Sequence, residues 1–241
     1  HFAKYRLWLN VCFLNEEGIG RGPTKEFFKL FSREFTKKAY NIWRTDDSDN
    51  IYAVHPQQLF PLATADDSIM RILGMFCAKS FEMNMTISIP FNPAFFDLAC
   101  GREVQLDSVD CVLANSLKKG FSSQGYDSMY FQICINGHNI DLVHNGSQIP
   151  VTEQNFCKYK EKLIDFICGR YVKSKIDKFV EGWSEVLNPD LLLMFTSKEM
   201  CDILYGSEKK ITYQDLLDYT IVEGGYTKDS PEIHYLFEII S

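Results

Sequence analysis

Eight cysteines and five histidines are the residues of this 241-residue chain with the most chemistry to offer. A thiolate is a strong nucleophile, and an imidazole within hydrogen-bond reach can take its proton. Cys134 lies near His138 and His144 in sequence, which would suit such a pair. These residues flank Asn136-Gly137, the favoured two-residue hairpin dipeptide, so they are expected across an exposed turn rather than in an active site. The other cysteines, at 12, 77, 100, 111, 157, 168 and 201, are scattered. No C-x-x-C pair, no H-E-x-x-H and no other histidine pair at ligand spacing occurs, so no metal is called for. The glycines at 18, 20 and 22 could suggest a phosphate cradle. They lack the G-x-G-x-x-G spacing and the Lys-Ser/Thr of a P-loop, and read instead as a tight turn leading into a helix. No G-x-S-x-G elbow is present, and Glu16, Glu17, Asp46 and Asp47 read as solvated loop acids. On chemistry alone the chain shows no complete catalytic site and calls for no cofactor.

The elements that carry these residues follow from periodicity. Tyr5, Leu7, Leu9, Val11 and Phe13 alternate with polar or small neighbours and predict a strand. Pro23 opens a helix with Phe27, Phe28, Phe31 and Phe35 on one face. Residues 44–66 read as loop. A helix from about Asp66 to Glu82 is apolar nearly all round, through Ile69, Met70, Ile72, Leu73, Met75, Phe76, Cys77 and Ala78, and is expected to be buried on most sides. A short helix covers Ala94 to Ala99. Val109, Val112, Leu113, Ser116 and Leu117 then give an amphipathic helix starting at Asp107 or Ser108, followed by a Gly/Ser loop from Gly120 to Gly125. Phe131, Ile133 and Ile135 alternate into the hairpin, and Ile140 and Leu142 leave it. Thr152 is placed as cap of a helix carrying Phe156, Tyr159, Leu163 and Phe166. Gly169 interrupts that period before Ile176, Phe179, Val180, Trp183 and Leu187 resume it. Two short capped helices, about Ser197 to Leu204 and Thr212 to Tyr219, precede a last one. In that last helix Ser230 caps, Pro231 and Glu232 open, and Ile233, Leu236, Phe237 and Ile240 form an apolar stripe without a terminator. A helix ending in mid-pattern predicts a fragment of a longer protein.

Composition narrows the class. A formal charge of −7 and a pI near 5.3 argue against nucleic acid or anionic membrane as partner, since both need a basic field. No apolar run reaches the roughly 18 to 20 residues that span a bilayer. The unpaired cysteines predict a reduced, cytosolic or nuclear protein whose sequons at Asn84 and Asn145 carry no glycan.

Four segments carry a family resemblance. Gly22-Pro23-Thr24-Lys25-Glu26-Phe27-Phe28 comes first, then Leu73-Gly74 with Ala78-Lys79, then Asn145-Gly146 through Ile149-Pro150-Val151-Thr152. Gly224-Gly225-Tyr226-Thr227-Lys228-Asp229-Ser230 follows, with Ile233 and Leu236-Phe237-Glu238. In that order they resemble the N-lobe of HECT ubiquitin ligases over essentially the whole chain. The glycine turn before Pro23-Thr24 and the Leu236-Phe237-Glu238 ending look most like the ubiquitin-fusion-degradation branch.

The resemblance implies an α+β, predominantly helical fold. It implies a large subdomain from residues 1–107 and 168–241, and a small inserted subdomain, 108–167, that docks a ubiquitin-conjugating enzyme. In the family ubiquitin passes to a cysteine of a separate C-lobe of about 100 residues, the size of a small domain, and then to a lysine of a protein substrate. No Leu-Pro…Thr-Cys segment occurs here, so none of the eight cysteines inherits that role. Matched position by position, Leu113, Ser116, Leu117, Met129, Tyr159 and Leu163 fall at the family's conjugating-enzyme contacts. Gly120 stands where relatives often carry leucine and Leu163 where some carry an aromatic, which could change which conjugating enzymes bind. Leu117→Arg or Tyr159→Arg is expected to abolish docking without unfolding. Two other readings compete: a non-catalytic helical interaction module with the same fold, and a small thiol enzyme using one of these cysteines.

Overall fold

The most intimate contact in the fold follows from two small residues in two long helices. α2 (Asp67–Glu82) begins where the Asp66 carboxylate accepts the Ile69 N–H at 3.0 Å. α7 (Arg170–Ser184) follows Gly169 and presents Val172, Ile176, Phe179 and Trp183 inward. The two pack more extensively than any other helix pair. Gly74 of α2 faces the Phe179 carbonyl, and Gly182 of α7 faces the Arg71 carbonyl, each so closely that a Cβ would lie 1.9 Å from the oxygen. The helices therefore meet backbone to backbone. On the flank, Arg71 pairs with Glu185 at 2.6 Å and Lys175 with Asp67 at 2.6 Å, solvated pairs that add little.

The computed structural model describes residues 9–44, 59–119, 129–135, 137–206 and 212–240. The chain divides into two units, His1–Gly206 and Ser207–Ser241. In the first, α1 (Arg21–Phe35) turns its phenylalanines onto Phe76 of α2: the Phe28, Phe31 and Phe35 rings lie 5.2 to 5.5 Å from it. The expected strand falls partly on residues 1–8, outside the described residues. Leu9–Phe13 is described and pairs with no strand among the described residues. α2 is also less enclosed than its composition suggests. Leu73, Phe76, Cys77 and Ala78 are buried, but Ile72 and Met75 face solvent.

Past α1, the Trp43 indole N–H donates to the Phe35 carbonyl at 2.6 Å and its ring meets Phe91 edge-on at 5.9 Å. Residues 42–44 run against 60–62, with Leu62 donating to the Ile42 carbonyl and Arg44 to the Phe60 carbonyl. α3 (Pro93–Ala99) is capped by the Asn92 side chain, which accepts the Ala94 N–H. Ser197 at the start of a later helix donates to Asp97 of α3, and Arg102 bridges both.

The amphipathic helix expected from Asp107 or Ser108 is two helices, α4 (Leu106–Val109) and α5 (Cys111–Lys119). Asp110 breaks them apart: its carboxylate accepts the Leu113 N–H at 2.9 Å and so caps α5. The break rotates the register, leaving Val112 68% exposed while Ala114 and Leu117 are buried. The Gly120–Gly125 loop lies outside the described residues. β1 (Gln132–Ile135) pairs antiparallel with β2 (His138–Asp141); Asn136 of the expected turn is outside the described residues. Thr152 does not cap the next helix. Its N–H donates to Asn155 Oδ1 at 2.7 Å in a turn, and α6 (Phe156–Ile167) starts three residues later than a Thr152 cap would place it. Gly169 does separate α6 from α7, beside the Asp165–Arg170 pair, whose guanidinium holds the Asp165 carboxyl below the usual range. α8 (Asp190–Leu193) and α9 (Ser197–Tyr205) complete the unit, α9 with a Thr196–Glu199 capping box.

The second unit pairs α10 (Tyr213–Tyr219), opened by a Thr212–Asp215 capping box, with α11 (Pro231–Ile240). Tyr213 hydrogen-bonds His234 Nδ1 and meets the Phe237 ring edge-on. Of the stripe expected on α11, Phe237 is buried and Ile233 half-buried, whereas Leu236 and Ile240 are exposed. Ser230 turns its hydroxyl back to accept the Thr227 N–H rather than capping forward. The fold is α+β and predominantly helical, as the sequence predicts.

Candidate functional site

The six matched residues sit on three supports. Leu113, Ser116 and Leu117 lie on α5, which Asp110 starts and aims. Met129 lies on a short ladder: the Val151 N–H donates to its carbonyl at 2.8 Å, Phe131 donates to the Ile149 carbonyl at 3.0 Å, and Leu142 donates to the Phe131 carbonyl at 2.8 Å. Gly146, in the turn that closes this ladder, lies against that same Phe131 carbonyl. Tyr159 and Leu163 are one turn apart on α6, with Tyr159 edge-on to Phe131 at 5.5 Å and alongside Phe156 at 6.3 Å.

Their exposure separates them. Leu117 (4%), Tyr159 (7%) and Leu163 (1%) belong to the main hydrophobic core. Burial pushes the Tyr159 phenol up from its ordinary value. Leu113 and Met129 are half-buried and pack against that core, and Ser116 is exposed, its hydroxyl donating to the Val112 carbonyl at 3.0 Å. An arginine at 117 or 159 would place a charge in the core, a change costly to the fold itself. Docking is therefore better probed at Leu113 and Ser116.

Sequence reasoning missed three exposed apolar neighbours, Val112, Tyr130 and Ile149. Tyr130 precedes buried Phe131 and so turns outward by strand alternation, which the sequence could have shown. Val112 could not be found without knowing that Asp110 breaks the helix.

Among the described residues no cysteine is brought into a thiol–imidazole pair with His138 of the hairpin. In the hairpin Cys134 pairs with Asn139 and Ile135 with His138, which puts Cys134 and His138 on opposite faces of the ribbon. Desolvation raises the thiols of Cys168 to about 11 and Cys201 to about 12, and drives that of Cys77 well above its ordinary value. Because the thiolate is the attacking form, these three should resist alkylation by iodoacetamide at neutral pH. Exposed Cys12, Cys111, Cys134 and Cys157 should label first, the buried set only after denaturation, as read by peptide mass spectrometry. Labelling of Cys77 at the rate of Cys157 in the folded chain would contradict this burial. Among the described residues no three His, Cys, Asp or Glu side chains converge as metal ligands, and no helix is long and apolar enough to cross a membrane.

Comparison with known proteins gives the family. A family model described as HECT-domain (ubiquitin-transferase) matches residues 29–241. The "probable ubiquitin fusion degradation protein" of Schizosaccharomyces pombe is 28% identical over 97% of this chain and 16% of its own length. Ubiquitin fusion degradation protein 4 of Saccharomyces cerevisiae is 26% identical over 97% of the chain and 18% of its own. The E3 ubiquitin-protein ligase UPL4 of Arabidopsis thaliana is 23% identical over 99% and 19%. The chain thus spans less than a fifth of the length of these relatives. With a match running from within α1 through α11, the chain belongs to the HECT-domain (ubiquitin-transferase) family.

Proposed function

We propose that this chain is the docking lobe of a ubiquitin ligase. It recruits a ubiquitin-charged conjugating enzyme, so that ubiquitin passes to a cysteine outside these residues and then to a lysine of a protein substrate. The family match across residues 29–241 is the observation that carries the reading. The inserted stretch 108–167 is its docking subdomain, with Leu113, Ser116 and Met129 as the accessible contacts and Leu117, Tyr159 and Leu163 as the buried support beneath them. The cytosol or nucleus is the compartment that suits this pathway.

The test is calorimetric titration of the chain with purified conjugating enzymes, each carrying ubiquitin through a stable linkage. Leu113→Arg and Ser116→Arg should weaken binding by about 2 kcal/mol, roughly thirtyfold, as at an interface centre. Ser116→Arg should melt at the wild-type temperature because its side chain is exposed, and Leu113→Arg, from a half-buried position, should lose stability but stay folded. Undiminished binding by both folded variants would overturn the assignment. The chain alone should form no ubiquitin thioester.

A further inference from the structure

Among the ion pairs between described residues, Arg44–Asp110 is the most deeply buried, with side chains only 10% and 9% exposed. Arg44 Nη2 donates to Asp110 Oδ2 at 2.9 Å, while Nε and Nη1, also buried, find no hydrogen-bond partner among the described residues. Burying a guanidinium with two N–H edges unpaired is a poor way to gain stability, since desolvation consumes the attraction. A pair in that setting does more for the geometry it imposes than for net stability.

That geometry runs in an unbroken line to α5. Arg44 is anchored by its main chain, whose N–H donates to Phe60, and follows Trp43, which is fixed to Phe35 and Phe91. Asp110 meets it at the break between two helices. Its N–H donates to the Leu106 carbonyl at the start of α4, and its own carbonyl accepts the Ala114 N–H. The second carboxylate oxygen, Oδ1, accepts the Leu113 N–H. One carboxylate thus joins the rigid body of the unit to the first turn of α5.

We propose that Arg44 and Asp110 are positioning residues for conjugating-enzyme docking, fixing the direction of α5 so that its Leu113–Ser116 surface is held in one orientation. This rests on the docking role proposed above. Neither residue touches the partner; both act through α5.

The decisive variant is the double Arg44→Met/Asp110→Asn. Asparagine keeps the cap, methionine fills the arginine's space, and no unpaired charge remains, so this variant should melt near the wild-type temperature. Titrated with the same ubiquitin-loaded conjugating enzymes, it should still bind about tenfold more weakly. A pair that served stability alone would leave affinity intact once the fold is intact, and wild-type affinity in the folded double variant overturns the proposal. Leu113→Arg separates the two readings. If it too binds normally, the docking site itself is misplaced; if it fails to bind while the double variant binds normally, only the positioning role falls. Should the double variant not fold, Arg44→Lys carries the test, because lysine keeps the charge without the planar fork. Weakened binding by folded Arg44→Lys supports the proposal and unchanged binding overturns it.

Discussion

Gly74→Ala and Gly182→Ala are each expected to destabilise the first unit by about 3 kcal/mol, the upper part of the range for overpacking. The sign is the informative part. Alanine in a helix interior normally gains about 1 kcal/mol over glycine, so propensity alone predicts a more stable protein. Here the added methyl would lie 1.9 Å from a carbonyl oxygen of the opposite helix, Phe179 for Gly74 and Arg71 for Gly182. Backbone cannot swing aside as a side chain can, so α2 and α7 must separate and open the packing of Leu73, Cys77, Phe179 and Trp183. The double variant should cost less than the two singles together, since one separation relieves both clashes. Urea denaturation of the three variants checks this, and a raised midpoint for either single would refute the close approach.

The second large effect is expected at Gly146. A Cβ there would stand 2.1 Å from the Phe131 carbonyl oxygen, which already accepts the Leu142 N–H at 2.8 Å. Gly146→Ala must therefore displace either the turn or the strand that ends the Met129–Phe131 ladder. A cost of about 2 to 3 kcal/mol follows from overpacking against backbone. Unlike the α2–α7 variants, this one should act locally. Amide exchange should quicken at Phe131, Leu142 and Val151, which donate within the ladder, while the α2 amides stay protected. Docking should weaken as Met129 shifts. Uniformly faster exchange across α2 and the ladder would show that the turn is not an independent element.

What the sequence disclosed was mostly local. The phenylalanine face of α1, the two short helices α9 and α10, and the interruption at Gly169 depend on residues a few positions apart, and each stands where spacing places it. What it hid was long-range. The break at Asp110 lies where Arg44, 66 positions away, meets its carboxylate inside the protein. The exposure of Ile72 and Met75 depends on which side of α2 receives α1 and α7, and an all-apolar helix does not record that choice. Thr152 has the composition of a cap, but residues 152–155 close a turn of their own, with the Asn155 N–H donating to the Thr152 carbonyl, and α6 begins only at Phe156. The site shows the same division. Spacing put Leu113, Leu117, Tyr159 and Leu163 on coherent helix faces, yet a coherent face is equally suited to core and to interface. Only burial separates Leu113 from the other three.

The α2–α7 seam also has a consequence for the order in which the chain can acquire structure. Its two glycine contacts join residues about a hundred positions apart, so closing that loop is entropically slow compared with forming hairpins or single helices. During synthesis α2 leaves the ribosome long before α7 exists. For that interval the face of α2 around Gly74 lacks the helix that will cover it, whereas the ladder around Phe131 and the β1–β2 hairpin have their backbone partners within about twenty residues. The hairpin and its ladder can thus form while the seam between α2 and α7 is still open, so local pairing precedes long-range packing along this chain.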